Sequence, residues 1–140
     1  MSEYIPSTSK WVSDQVELYE SSGGKEGTKM NGLPVIIVTN KGWKTKAIRK
    51  TPLMKVKTGN KYVLVASNGG APKNPSWYKN IKSESKVTIQ DGTEIYSMEA
   101  KEVTDKIEKE KLWQLVVEAF PQYKEYRETT ARDIPFFIAS

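Results

Sequence analysis

Short apolar runs joined by tight turns constrain this chain more than any other feature. Pro34 to Thr39 (PVIIVT) is a continuous β-branched run, the pattern of a buried strand. Arg49 to Lys57 (RKTPLMKVK) alternates in part, and Lys61 to Ser67 (KYVLVAS) is a further strand. Thr58-Gly59-Asn60 between them is turn chemistry, which predicts that these two runs pair as a hairpin. Pro52 has no N–H for a ladder, so it marks an edge or a bulge. Lys86 to Gln90 and Glu94 to Val103 are strands joined at Asp91-Gly92, a strong two-residue hairpin signal. Ile134 to Ala139 (IPFFIA) closes the set at six strands. Short hairpins cannot serve parallel neighbours, so the sheet is antiparallel. Six short antiparallel strands in 140 residues predict one small closed or nearly closed barrel with helices packed outside.

The helices are fewer. Residues 1–8 read as a flexible tail. Lys10 to Glu20 carries Trp11, Val12, Gln15, Val16, Leu18 and Tyr19 at helical spacing, with Ser9 as its cap. SSGG ends it, and KEGTKMNG reads as a loop. Ser76 to Ser83 is a short helix. Thr104 caps a helix running to about Phe120, with Ile107, Leu112, Leu115, Val116 and Ala119 on one face. Pro121 opens a second amphipathic turn that bears Tyr123 and Tyr126. The expectation is therefore three or four helices around the sheet, in a single domain spanning residues 1–140.

Chemistry is narrowed by what is missing. The chain has no cysteine and no histidine. Thiolate nucleophiles, cysteine zinc sites, the serine–histidine triad and histidine ligation are all excluded. No metal site is expected. No apolar run approaches the ~18 residues of a membrane span, and the N-terminus has no basic, then apolar, leader pattern. A cytoplasmic location is the expectation.

Charge is distributed unevenly. From Gly27 to Ser83 lie twelve basic residues and no acidic one, while the remainder carries ten basic and seventeen acidic residues. A one-sign segment costs self-repulsion and attracts an anion: a phosphorylated cofactor, nucleic acid or a membrane surface. The run Trp43 to Pro52 sets lysine and arginine beside hydroxyls, a phosphate or carboxylate cradle as readily as an exposed basic hairpin. In Ser67 to Pro75 (SNGGAPKNP), Gly69-Gly70 lets backbone amides approach a ligand closely. Neither a Walker loop nor GxGxxG is present. Phe120, Tyr123 and Tyr126 share one face, which suits core packing or a pocket for a planar substrate. Without histidine, a tyrosine or bound water is the available proton source.

The ordered motifs GLPVIIVTNKG, K-T-x-x-x-R-K-T-P-L-M, V-A-S-N-G-G-A-P-K-N-P-S-W-Y-K-N, F-P-Q-Y-K-E-Y and I-P-F-F resemble those of the deazaflavin (coenzyme F420)-dependent nitroreductase and quinone reductase family. The resemblance runs from about Trp11 to the C-terminus. It implies a split β-barrel related to flavin reductases and pyridoxamine phosphate oxidases. It also implies hydride transfer from reduced deazaflavin to a quinone or nitroaromatic compound. By resemblance, Trp43, Lys44 and Thr45 begin the coenzyme cradle. Arg49, Lys50, Thr51, Pro52, Leu53 and Met54 continue it, with the two cations toward the anionic tail. Val65, Ala66, Ser67 and Asn68 follow, and then Ser76, Trp77, Tyr78, Lys79 and Asn80. Tyr123 matches a tyrosine on the substrate side, Tyr126 its neighbour, and Ser67 a substrate hydrogen-bond partner. The chain departs from the family pattern at four places: lysine is usual at Asn68, arginine or a small polar residue at Trp43, glycine at Lys46, and tyrosine in some relatives at Phe120. A lysine-rich groove would host the phosphodiester and oligoglutamate tail. An FMN-binding reductase of the same fold and a basic barrel gripping single-stranded nucleic acid are the alternatives. The family reading expects no nucleic-acid partner. It expects at most weak peripheral membrane contact, at the inner face of the cell membrane, and a monomer or homodimer.

Overall fold

The computed structural model describes residues 3–140. Its strands are β1 (Lys29–Met30), β2 (Leu33–Lys41), β3 (Ile48–Met54), β4 (Lys57–Thr58), β5 (Lys61–Val65), β6 (Lys86–Asp91), β7 (Glu94–Glu102) and β8 (Phe136–Ala139). They form one antiparallel sheet in the order β1-β2-β6-β7-β8-β5-β4, with β3 paired to β2. The sheet curls into a half-barrel, as the split-barrel expectation required. Helices α1 (Lys10–Ser21), α2 (Ser76–Ser83), α3 (Lys106–Ala119) and α4 (Gln122–Thr129) surround it.

Both faces of the sheet are covered, which is why its central strands read as continuous apolar runs rather than alternating ones. Side chains alternate between two cores. Ile36 and Val38 of β2, Leu64 of β5, Ile89 of β6, and Phe137 and Ala139 of β8 join Trp77 and Ile81 of α2 in one cluster. Val35 and Ile37, Val63 and Val65, and Phe136 meet Val16 and Tyr19 of α1, Trp113 and Val116 of α3, and Tyr123 of α4 in the other. The Asp91-Gly92 hairpin forms as expected, with Asp91 opposite Glu94 and Gly92 at φ 59.

Several expectations are corrected. Only the end of the run Arg49–Lys57 pairs with Lys61–Ser67: Lys57 stands opposite Tyr62, and the Val63 N–H donates to the Val56 carbonyl at 2.8 Å. The run breaks at Lys55–Val56; β3 pairs with β2 along its whole length, and only β4 pairs with β5. Pro52 explains the choice of an outer position: it sits opposite Ile37 on a strand whose other edge has no long partner. The sheet has eight strands, the two additional ones being two-residue pairs too short to leave a periodic signal. Asp105, not Thr104, caps α3, its Oδ1 accepting from the Ile107 N–H at 3.1 Å. Ile107 faces solvent at 70% exposure, and Trp113 takes the core position instead. Ser9 stands at the start of α1, but its side chain makes no cap bond. In the expected tail, Tyr4 bridges Ile48 at the outer edge of β3; Met1 and Ser2 lie outside the described residues.

Candidate functional site

The open edge of β3 generates the site. Beyond the bridge at Ile48, no strand among the described residues pairs with its outer side. The edge faces a cavity of about 620 Å3 closed by α1, the Ser67–Pro75 loop, the start of α2, and the Phe120–Tyr126 segment. That volume falls within the range of small-molecule sites.

Fourteen of the residues singled out from sequence line this cavity: Arg49, Lys50, Thr51, Pro52, Leu53, Met54, Val65, Ser67, Asn68, Ser76, Trp77, Asn80, Tyr123 and Tyr126. Six do not. Ala66 is sealed in the core beside α2. Tyr78 packs its ring 5.5 Å from Phe137 and donates its hydroxyl to Glu102 at 2.9 Å. Trp43, Lys44 and Thr45 lie in the β2–β3 turn outside the cavity. The Trp43 N–H donates to Asn80 Oδ1 at 3.0 Å, and the Lys79 ammonium lies over the Trp43 ring at 5.4 Å. These residues brace α2 against the turn. Asn80 in turn donates to Asn40 Oδ1 at 2.8 Å, a buried amide pair that fixes α2 on β2.

The cationic character is more local than the sequence suggested. Of the twelve basic residues in the acid-free segment, only Arg49 and Lys50 line the cavity. Most of the others project into solvent from turns and strand ends, because an unpaired buried ammonium is too costly. Acidic residues from outside the segment reach three of the twelve: Glu20 pairs with Lys50 at 2.6 Å, Asp91 with Lys55 at 3.0 Å, and Glu102 with Lys82 at 3.1 Å. Lys50 also stacks on the Tyr4 ring at 4.8 Å. Arg49 is the cavity cation with no ion pair among the described residues.

The opposite wall is aromatic. Phe120, Tyr123 and Tyr126 contact one another edge to face, with centroids 4.9 to 6.3 Å apart. Tyr123 is 4% exposed, and burial, with Tyr126 second, holds its phenol well above the usual range. Its hydroxyl and that of Ser67 have no partner in the hydrogen-bond network of the described residues. No sealed polar side-chain atom there lacks a partner, so neither hydroxyl is fully sealed, and both residues line the cavity. The protonated Tyr123 is available as a donor.

The loop between β5 and α2 supplies backbone. Asn68, Gly69 and Gly70 take successive left-handed conformations, with φ of 49, 64 and 81. Glycine suits Gly70, where φ is 81 and a Cβ would stand a tight 3.3 Å from Tyr126 Cδ1. The Asn68 amide donates to the Lys73 carbonyl at 3.0 Å and closes the turn.

Trp11, Val12, Met30, Asn31 and Gln122 also line the cavity without having been singled out for it. Nothing in local spacing marks them; α1 brings Trp11 and Val12 there, β1 and its turn bring Met30 and Asn31, and α4 brings Gln122. The amphipathic stripe of α1 was the available signal, and its edge residue Trp11, 59% exposed, hangs over the opening.

Residues 11–140 match the family model described as F420H(2)-dependent quinone reductase. An F420H(2)-dependent quinone reductase of Mycobacterium tuberculosis is 33% identical over 124 residues, covering 86% of this chain and 83% of the relative. A solved structure of an F420-H2 dependent reductase superimposes with a TM-score of 0.71 at 44% identity, covering 76% of this chain and 94% of that one. Another, described as a domain-swapped dimer, gives 0.74 at 40% identity, covering 96% of this chain and all of the other. A protein of the pyridoxinephosphate oxidase family from Clostridium acetobutylicum gives 0.52 at 16% identity over 91% of this chain and 84% of its own, a likeness of fold alone.

Proposed function

This chain belongs to the F420H(2)-dependent quinone reductase family, and from that premise we propose that its cavity binds the reduced deazaflavin coenzyme beside a planar acceptor, a quinone or a nitroaromatic compound. Arg49, Lys50, the diglycine loop and the unpaired Tyr123 hydroxyl all border one cavity, and that convergence carries the reading. The residues fit the group. Arg49 meets the anionic tail, with Lys50 beside it. The free edge of β3 offers backbone N–H and C=O groups to a ring, and Pro52, Leu53 and Met54 offer apolar surface. When bound, the reduced deazaflavin supplies a hydride to the acceptor.

The protein's own work is binding, orientation and protonation. Tyr123 and Tyr126, set edge to face, form an aromatic wall against which a planar acceptor packs. Tyr123 keeps its proton through neutral pH and donates a hydrogen bond to an acceptor oxygen as charge develops there. Ser67 offers a second hydroxyl from the loop. Trp11 and Phe120 cover the acceptor side and limit water. The FMN reading draws on the likeness of fold alone, and a nucleic-acid groove would leave the enclosed tyrosine wall without a purpose. A homodimer is the assembly we favour, and a cytoplasmic enzyme with at most peripheral membrane contact is the setting. Among the described residues no helix is long and apolar enough to cross a membrane.

Titration with oxidised coenzyme tests the proposal, because Trp11 and Trp77 line the cavity and report occupancy by quenching. Saturation at micromolar coenzyme is expected, and Arg49→Glu weakens it by roughly a hundredfold. Wild-type protein without saturable quenching, or an Arg49→Glu variant of unchanged affinity, overturns it.

A further inference from the structure

We propose that Arg132 is a positioning residue: its guanidinium holds the Ser67–Pro75 loop in the shape that makes it a cavity wall, an inference that rests on the functional reading above. Arg132 does not line the cavity. It lies on the segment entering β8, far along the chain from the loop, and spends three donors on it. Nη2 donates to the Ser67 carbonyl at 2.6 Å, Nε to the Ala71 carbonyl at 2.9 Å, and Nη1 to Asn74 Oδ1 at 2.7 Å.

The loop needs such a tie. Three successive left-handed residues are held internally by two backbone bonds, Gly70 N–H to the Ser67 carbonyl and Ala71 N–H to the Asn68 carbonyl, and by the Asn68 amide. Two of the three are glycines, which sample many conformations, so the segment keeps one shape only when its surroundings fix it. The anchor stands in the bend just ahead of β8, which is paired on one side with β5, the strand that leads into the loop, and on the other with β7. Arginine suits the task where lysine does not: its planar fork addresses three acceptors in fixed directions, whereas an ammonium on a flexible stem is a point charge. The consequence reaches both halves of the cavity. One end of the loop carries Ser67 and Asn68, and its middle presses Gly70 against Tyr126. Loosening the clamp therefore disturbs the coenzyme wall and the acceptor wall together.

The test compares wild type with Arg132→Ala, Arg132→Lys and Asn74→Ala. The readouts are oxidised-coenzyme affinity by tryptophan quenching, melting of the coenzyme-free protein, and hydrogen exchange at amides 68–71. Arg132→Ala is expected to fold, to bind coenzyme about tenfold more weakly, and to exchange faster at those amides. Guanidinium at about 10 mM, far below denaturing levels, restores part of the affinity. Arg132→Lys recovers less than half of the loss, and Asn74→Ala moves affinity and exchange the same way by a smaller factor. Wild-type affinity in Arg132→Ala, or lost affinity without faster exchange at 68–71, overturns the proposal. Should Arg132→Ala not fold, unchanged binding and exchange in Asn74→Ala overturn it. Wild-type protein that fails to bind coenzyme overturns the functional reading instead, and the exchange measurements still judge the clamp.

Discussion

Lys46 holds a left-handed backbone, φ 63, in the turn where Gly42 N–H donates to the Ala47 carbonyl at 2.7 Å. A Cβ in that region costs about 1 kcal/mol, and glycine is the residue that avoids it. Lys46→Gly is therefore expected to raise stability by about 0.5 kcal/mol, net of the greater freedom that glycine brings to the unfolded chain. The melting temperature should rise by a few degrees at most, with coenzyme affinity unchanged because the side chain is exposed and outside the cavity. A lower melting temperature would show that the Lys46 side chain contributes more than its backbone costs. The sequence carried the hint, since the family pattern has glycine here, but only the dihedral angle gives it a physical meaning. Asn68 shows the reverse case. Read as a residue type, it is a lost cation where lysine is usual. In place, it is a left-handed turn residue whose amide closes the loop on the Lys73 carbonyl. Asparagine tolerates that conformation better than lysine does.

At the scale of elements, α1 and β3 are joined by one ion pair, Glu20 with Lys50, at 2.6 and 2.8 Å. Both side chains are partly screened from solvent, and the pair neutralises one of the two cations lining the site. Glu20→Gln is expected to free Lys50 for an anionic ligand. Coenzyme affinity should rise severalfold at low salt and fall more steeply as salt is added, with a stability loss of about 1 kcal/mol. Titrations at two ionic strengths measure it; a weaker affinity at both would mean that docking α1 matters more to the site than the charge it removes. The sequence could not reveal this pair, because thirty residues separate its members. That distance defines the boundary of what was legible. Runs such as PVIIVT and the helix SWYKNIKS declare themselves locally, and Ser76–Ser83 is found with the bounds expected of it. The partner of a strand is set by contacts elsewhere. Turn chemistry at Thr58-Gly59-Asn60 correctly marked a reversal, yet the strand before it belongs to β2, because the chain leaves the β3 edge at Lys55–Val56 before it turns.

For the molecule as a whole, titration behaviour follows from two facts: the chain has no histidine, and several of its tyrosines are held protonated by the fold. Tyr19, Tyr62, Tyr78 and Tyr123 all have phenols raised above the ordinary value of about 10, burial being the largest cause in each. For three of them the proton is also a structural donor: Tyr19 gives it to the Val35 carbonyl at 3.0 Å, Tyr62 to Asp91 Oδ2 at 2.6 Å and Tyr78 to Glu102 Oε1 at 2.9 Å. The unfolded chain loses these protons near pH 10, whereas the folded chain keeps them to higher pH. Above about pH 10 the unfolded state therefore binds fewer protons, and stability falls as pH rises toward the folded values. Below the unfolded value the contribution is fully present. Between about pH 6 and 8.5 no side chain of ordinary pKa titrates, so stability is expected to be flat there. Urea unfolding at about pH 7, 8.5 and 10.5 checks both parts: equal free energies at the first two and a loss at the third. Tyr123→Phe removes a group that cannot ionise without breaking the cavity wall, so it should shrink that alkaline loss while leaving the neutral plateau level. A loss of the same size in Tyr123→Phe would mean that the alkaline transition belongs to the other raised phenols, those of Tyr4, Tyr19, Tyr62 and Tyr78.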